Sequence, residues 1–348
     1  MSDVLSPAML RKFDPSGMLD TALGLPAQVM EGYRLPRPGV GGGAPESVAV
    51  LGMGGSAIGG DLLSSILAER GGPPVMVGRD FALPPGVGRG TLVFAVSYSG
   101  ETEETLSAFR AARKRGCRVV TLSAGGRLGR LDGGMRNVRL PAGFRPREAL
   151  AYMLLPMMGV LEDLGAADFR EEVAEAAAVL SRMRAALGPE PPAPRNAARA
   201  AAEAFRGRRP AVLSGPFLAP AARRWRAQLA ENAKVLSLGG VLPESCHNDL
   251  VAWSADPAAA DCGAVLLRDP REDPRLARRW ELSRHLGLGR AGSVLEVRSR
   301  GKGALARLLS SVFVGDLASV YLAVMRGVDP APVDAIERLK TCLAGDGR

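Results

Sequence analysis

Short apolar runs alternate with helix-like stretches along most of this chain, and the alternation happens twice. In the first half "SVAVLGM" (47–53), "PPVMVGRD" (73–80), "GTLVFAVS" (90–97), "CRVVTLSA" (117–124) and "NVRLP" (137–141) read as strands. Between them "AIGGDLLSSILAER" (57–70) and "TEETLSAFRAARKRG" (102–116) read as helices, the second closing on Gly116. Residues 148–187 read as two more helices. "LGPEPPAPRN" (187–196) then breaks the periodicity with prolines. The second half resumes with "RPAVLSGP" (209–216), "GAVLLRDP" (263–270) and "GSVLEVRS" (292–299) as strands among helices. Strands that are apolar on both faces belong to parallel sheets covered by helices on both sides. The expected fold is therefore α/β, with two such sheets.

The expected organisation is a helical segment over residues 1–44, a first α/β unit over 45–186 and a second over 196–348. A chain of 348 residues is long enough for two domains with two separate cores. The run "ALARLLSSVFVGDLASVYLAVMRG" (304–327) predicts a long apolar helix lying against both units or a second subunit. No uninterrupted apolar run reaches the roughly 18 residues that cross a bilayer, and the first residues carry no export-signal pattern. The expectation is a cytoplasmic protein with no membrane association.

The net charge is +9, yet only five of the 45 basic residues are lysine and the arginines are scattered. Nucleic-acid binders cluster their charge and interleave aromatics, which make up only 5% here. No nucleic-acid partner is expected; attraction of anionic metabolites fits better. The four cysteines form no CxxC pair, and Cys246 next to His247 is poor geometry for chelating one ion. No metal and no cofactor are expected.

Two strand-end loops stand out. "GMGGSAIGG" (52–60) follows the first strand, and Gly52, Gly54 and Ala57 fit G-x-G-x-x-[GA]. Alone, the pattern is compatible with a dinucleotide (Asp80 then holding a ribose), another phosphate, or a plain tight turn. "SYSGET" (97–102) follows the third strand and opens a helix. One N-cap needs one hydroxyl, and Ser97, Ser99 and Thr102 exceed that need. With the unpaired N–H groups of a helix start, they suit a phosphomonoester. Ser56 is placed to reach the same point.

Together "GMGGSAIGGDLL" and "VSYSGETEETL" resemble the signature loops of the sugar isomerase (SIS) domain. "QLAENAKV" (228–235), "LPESCHNDLVAW" (242–253) and "YLAVMRGVDPAPVDAIERLK" (321–340) extend this to the bifunctional phosphoglucose/phosphomannose isomerase family, from about residue 45 onward. The resemblance implies two SIS subdomains and a metal-free enediolate exchange of glucose 6-phosphate, and mannose 6-phosphate, with fructose 6-phosphate. It implies Glu231 as the base, a role carboxylates fill when burial raises their pKa. On residue type alone, Glu231 could equally be a surface glutamate paired with Lys234. The family match implies His247 and Lys340 for ring opening, His247 reaching into the partner's site in a homodimer. It implies Arg147 as the charge facing the enediolate, with Arg145 two residues away as an alternative. Ser56, Ser97, Ser99 and Thr102 would bind the phosphate, with Gly54, Gly55 and Gly100 shaping the loops. Glu101 departs from many relatives and is expected to point outward from the first helical turn.

Two other classes remain compatible with parts of this pattern. A non-catalytic SIS-type sugar-phosphate sensor would usually carry a helix-turn-helix segment, for which residues 1–40 are short. A dinucleotide-dependent oxidoreductase has no particular use for "SYSGET".

Overall fold

A computed structural model describes residues 5–134 and 136–345. The chain starts with three short helices, α1 (Pro7–Phe13), α2 (Met18–Leu23) and α3 (Leu25–Arg34). The first α/β unit follows as β1 (Ser47–Leu51), α4 (Gly54–Glu69), β2 (Val75–Gly78), β3 (Thr91–Val96), α5 (Glu103–Lys114), β4 (Arg118–Ser123), α6 (Gly126–Arg130) and β5 (Asn137–Arg139). Two helices, α7 (Leu150–Asp163) and α8 (Arg170–Leu187), lead to the proline-rich stretch. The second unit is α9 (Ala197–Phe205), β6 (Arg209–Ser214), α10 (Ala219–Glu231), β7 (Leu238–Val241), α11 (Asp249–Ala255), β8 (Cys262–Arg268), α12 (Pro274–Leu286) and β9 (Ser293–Arg298). Helices α13 (Ala304–Met325) and α14 (Asp334–Gly345) end it.

Both sheets are parallel, in the orders β2-β1-β3-β4-β5 and β7-β6-β8-β9. In each, the chain adds one strand outward and then crosses back over the first. That crossing leaves a crevice at the carboxyl ends of β1 and β3, and another at β6 and β8. Strand β7 escapes the sequence reading: "LGGV" has two glycines and no β-branched run, and its pairing with β6 makes it a strand.

The expectation of two separate cores is corrected. Side chains at alternate strand positions, such as Val48, Val50, Leu92 and Phe94 in one sheet and Val212, Val265 and Leu267 in the other, face a single shared core. Helices α4, α7, α8, α9, α10 and α13 fill it. The opposite faces form smaller clusters, Ala49, Leu51, Val93 and Ala95 under α5, and Leu213, Ala264 and Leu266 under Trp280 of α12. The two sheets therefore sandwich one helical layer, and the largest core is common to both halves.

Helix α13 is long and apolar enough to cross a membrane by length and composition, contrary to the reading from uninterrupted runs, because Arg307 and Asp316 interrupt it without lowering its mean hydropathy much. In the fold it is buried between the sheets, touching α4, α8, α9 and α10. Its two charges are paired inside, Asp316 with Arg224 and Arg307 with Asp269.

Candidate active site

The crevice of the first unit is shaped by glycines. A Cβ on Gly52 would stand 2.9 Å from the Val96 carbonyl and 3.2 Å from Cβ of Ser56, so β1 turns into α4 only with glycine there. The N-cap residue of α4, Met53, makes no side-chain cap. Ser56 is buried, and its hydroxyl lies 3.4 Å from the Met153 sulfur, facing α7.

The hydroxyl loop is internally organised. Ser97 Oγ accepts from the Gly100 N–H at 3.1 Å and lies 2.8 Å from Thr102 Oγ1. Gly100 has φ +73°, and a Cβ there would fall 1.9 Å from the Gly125 carbonyl oxygen. Ser99 is exposed and accepts from the Glu101 N–H at 3.2 Å. Thr102 is the N-cap residue of α5, but its hydroxyl caps nothing, so the first-turn N–H groups remain available to a ligand. Glu101 precedes that N-cap instead of lying in the first turn. Its exposed carboxylate accepts from the Arg127 backbone N–H at 2.7 Å and from the Arg127 Nε at 2.6 Å. Hydrogen bonds from Arg127 hold its pKa below the ordinary carboxylate value.

Arg147 sits in the 3-10 turn Pro146–Glu148. The turn lies against the start of α4, since a Cβ on Gly55 would be 3.1 Å from the Pro146 carbonyl and 3.4 Å from Cα of Arg147. Arg145 turns the other way, to Glu148 at 3.2 Å. Arg147 is only 4% exposed. Its Nε donates to Asn232 Oδ1 at 2.8 Å, and Nη2 donates to the carbonyls of Pro330 at 2.9 Å and Ala331 at 2.8 Å. Only Nη1 stays uncommitted to such bonds among the described residues, and it lies 3.5 Å from Glu231 Oε2. Burial lowers the Arg147 pKa, and Glu231 acts against that shift.

Helix α10 ends at Glu231, so "ENAK" is a helix terminus, not a helical face. Lys234 adopts φ +56° and turns its ammonium to the Glu231 main-chain carbonyl and, at 3.1 Å, to the Pro330 carbonyl. The side-chain Glu231–Lys234 pairing expected of a surface helix is replaced by these contacts. Burial, then Arg147, lower the Lys234 pKa. The buried Asn232 also donates to Ser319 Oγ at 2.9 Å. Behind it, Arg224 pairs with Asp316 at 2.7 Å and donates to the Arg147 carbonyl at 2.7 Å.

Similarity to known proteins points one way. Residues 194–343 match the bacterial phospho-glucose isomerase C-terminal SIS domain, and residues 44–130 match the SIS domain. A bifunctional phosphoglucose/phosphomannose isomerase from Caldicellulosiruptor bescii is 33% identical over 336 residues, 94% of this chain and 99% of its own. The chain belongs to the bifunctional phosphoglucose/phosphomannose isomerase family. One from Aquifex aeolicus is 34% identical over 302 residues, covering 85% of this chain and 89% of its own. A glucose-6-phosphate isomerase like protein from Thermus thermophilus shares the fold, with a TM-score of 0.65 and 23% identity over 97% of this chain and 99% of its own. Membership in this isomerase family makes the chain an enzyme. It also removes the dinucleotide reading of the glycine loop, whose Asp80 is exposed and accepts from the Phe81 N–H.

A single chain of this phosphoglucose/phosphomannose isomerase family member unites the glycine loop, Arg147 and Glu231. It leaves His247 exposed on the 3-10 turn Glu244–His247 and Lys340 exposed on α14. Sequence reasoning missed Arg224, Asp316 and Ser319, which hold the site from behind. Nothing in their local spacing distinguishes them, because their partners lie more than seventy residues away.

Proposed function

We propose that the chain interconverts glucose 6-phosphate, and mannose 6-phosphate, with fructose 6-phosphate through an enediolate, without a metal. One observation carries this reading: Nη1 of Arg147 faces the Glu231 carboxylate at 3.5 Å while the backbone of the same turn packs on Gly55 at the start of α4. An acid from the second unit and an anion site from the first then meet one hexose.

The phosphate lies at the starts of α4 and α5, bound by Ser97, Ser99, Thr102 and backbone N–H groups, with Gly54, Gly55 and Gly100 giving the close approach. Ser56 joins them by turning its hydroxyl away from Met153. Glu231 takes the C2 proton of the aldose and delivers it to C1, and reverses this for the ketose. As the C2 proton leaves, its bond pair forms the C1–C2 double bond and the carbonyl pair moves onto O1. The O2 proton then passes to O1, so that C2 becomes the carbonyl when C1 is protonated, and Arg147 Nη1 supplies a fixed positive charge beside the enediolate. Lys340 and His247 open the ring by moving protons at the ring oxygen and the anomeric hydroxyl. His247 comes from a second copy of the chain, consistent with its exposure here. Leu236 and Val251 on the same unit are 88% and 70% exposed, as a face covered by a partner would be. The units divide at 45–186 and 196–348, and the enzyme acts in the cytoplasm.

Assay of both aldoses with EDTA present tests the chemistry. Turnover of each sugar in the presence of chelator is expected. Loss that returns on adding a divalent cation would refute the metal-free route.

A further inference from the structure

The two units repeat one arrangement. The order β1-α4-β2-β3-α5-β4 corresponds to β6-α10-β7-β8-α12-β9, and the orders of the corresponding strands in the two sheets match. The active crevice combines the carboxyl ends of β1 and β3 with the last residue of α10, Glu231. Its counterpart would combine the ends of β6 and β8 with the last residue of α4, Glu69. A cavity of about 680 Å³ lies there, lined by Gly215, Phe217, Asp269, Leu276, Arg279 and Glu69 among others. That volume is in the range of small-molecule sites.

The correspondence extends to an arginine. Arg307 pairs with Glu69 as Arg147 faces Glu231. Arg307 is 1% exposed, lines the cavity, and its Nε has no hydrogen-bond partner among the described residues. The Ser214 hydroxyl, one residue before Gly215 at the end of β6, is buried and equally unpartnered.

The chemistry at this second crevice differs in two ways. Glu69 is bound by both Arg307 and Arg271, so it has no freedom to act as a base. Where the first unit offers hydroxyls after β3, the second places Asp269, which accepts from the Arg271 N–H at 2.7 Å and from Arg307 at 2.8 Å. A phosphate is therefore excluded from that strand end. Anion-binding groups remain at the start of α12. Arg275 donates to the exposed Asp273, whose carboxylate also caps α12, through Nε at 3.0 Å and Nη2 at 2.6 Å, a surface pairing that a phosphate would displace. Arg279, one turn on, donates to the Arg275 carbonyl and has no carboxylate partner among the described residues.

We propose that this cavity is a second, non-catalytic site for a small phosphorylated sugar, its phosphate held by Arg275 and Arg279 and its carbon skeleton against Phe217 and Leu276. The test is the binding stoichiometry of fructose 6-phosphate on the full chain, read by equilibrium dialysis as total hexose 6-phosphate bound, in a Glu231→Gln background that slows conversion. Two molecules per chain are expected. Arg275→Ala with Arg279→Ala should leave one, and the same pair in the otherwise native chain should retain turnover at saturating substrate. One molecule per chain before these changes, or two after them, overturns the proposal. Failure of the isomerase reading would show separately, as absent turnover in the native chain with both binding sites intact.

Discussion

The guanidinium of Arg147 and the carboxylate of Glu231 stand 3.5 Å apart, although they come from different α/β units of the chain. Their approach is enforced from the arginine side. Asn232 and the carbonyls of Pro330 and Ala331 hold three of its donor directions. The charge that faces Glu231 is thus built into the packing of both units.

Removing the charge of Glu231 without its shape tests its proposed role. Glu231→Gln is expected to lower kcat by about 10²–10⁴-fold, with KM for fructose 6-phosphate nearly unchanged. Steady-state kinetics in both directions check this; native-like turnover would exclude Glu231 as the base.

Arg147→Ala should act on stability as well as activity. It leaves Asn232 Oδ1 and the Ala331 carbonyl without their donor, while the Pro330 carbonyl keeps Lys234. Each buried group so stranded costs about 1–3 kcal/mol. The expected result is a clearly lower denaturant midpoint alongside lost activity, whereas a purely catalytic arginine would leave the midpoint where it was.

The buried pair Arg224–Asp316 supports the Arg147 turn, since Arg224 also donates to the Arg147 carbonyl. Arg224→Met alone strands a buried carboxylate and is expected to cost about 3–5 kcal/mol. Adding Asp316→Leu should recover most of that stability by urea unfolding but not the activity, because the Arg147 carbonyl remains unheld. Full recovery of kcat in the double variant would separate this pair from the site.

Sharing of the site between subunits can be read by complementation. Glu231→Gln and His247→Ala chains are each expected to be inactive. Unfolded together and refolded, they should regain roughly a quarter of native activity, because half the dimers are mixed and each holds one intact site. No regain would place His247 and its substrate in the same chain.

Gly100→Ala should damage sugar-phosphate binding selectively. The positive φ and the Gly125 carbonyl leave no room for a methyl group. A large rise in KM is expected with the second unit still folded by near-ultraviolet circular dichroism of its tryptophans.

The strands and helices of the two sheets were legible because their apolar periodicity is local, and the two strand-end loops because glycines and hydroxyls cluster within a few residues. Strand β7 was not, since "LGGV" acquires its identity only from β6. The end of α10 at Glu231 was not either, because "ENAK" continues a helical pattern that the tertiary contacts of Asn232 and Lys234 interrupt. Short-range pattern and family motifs were enough to specify the α/β class, the glycine and hydroxyl loops at two strand ends, and the isomerase family. Three features came from the folded chain instead: the two sheets share one core, Arg147 rather than Arg145 faces Glu231, and a second crevice mirrors the first. Those outcomes depend on burial and pairing between residues far apart in the chain, which no local spacing records.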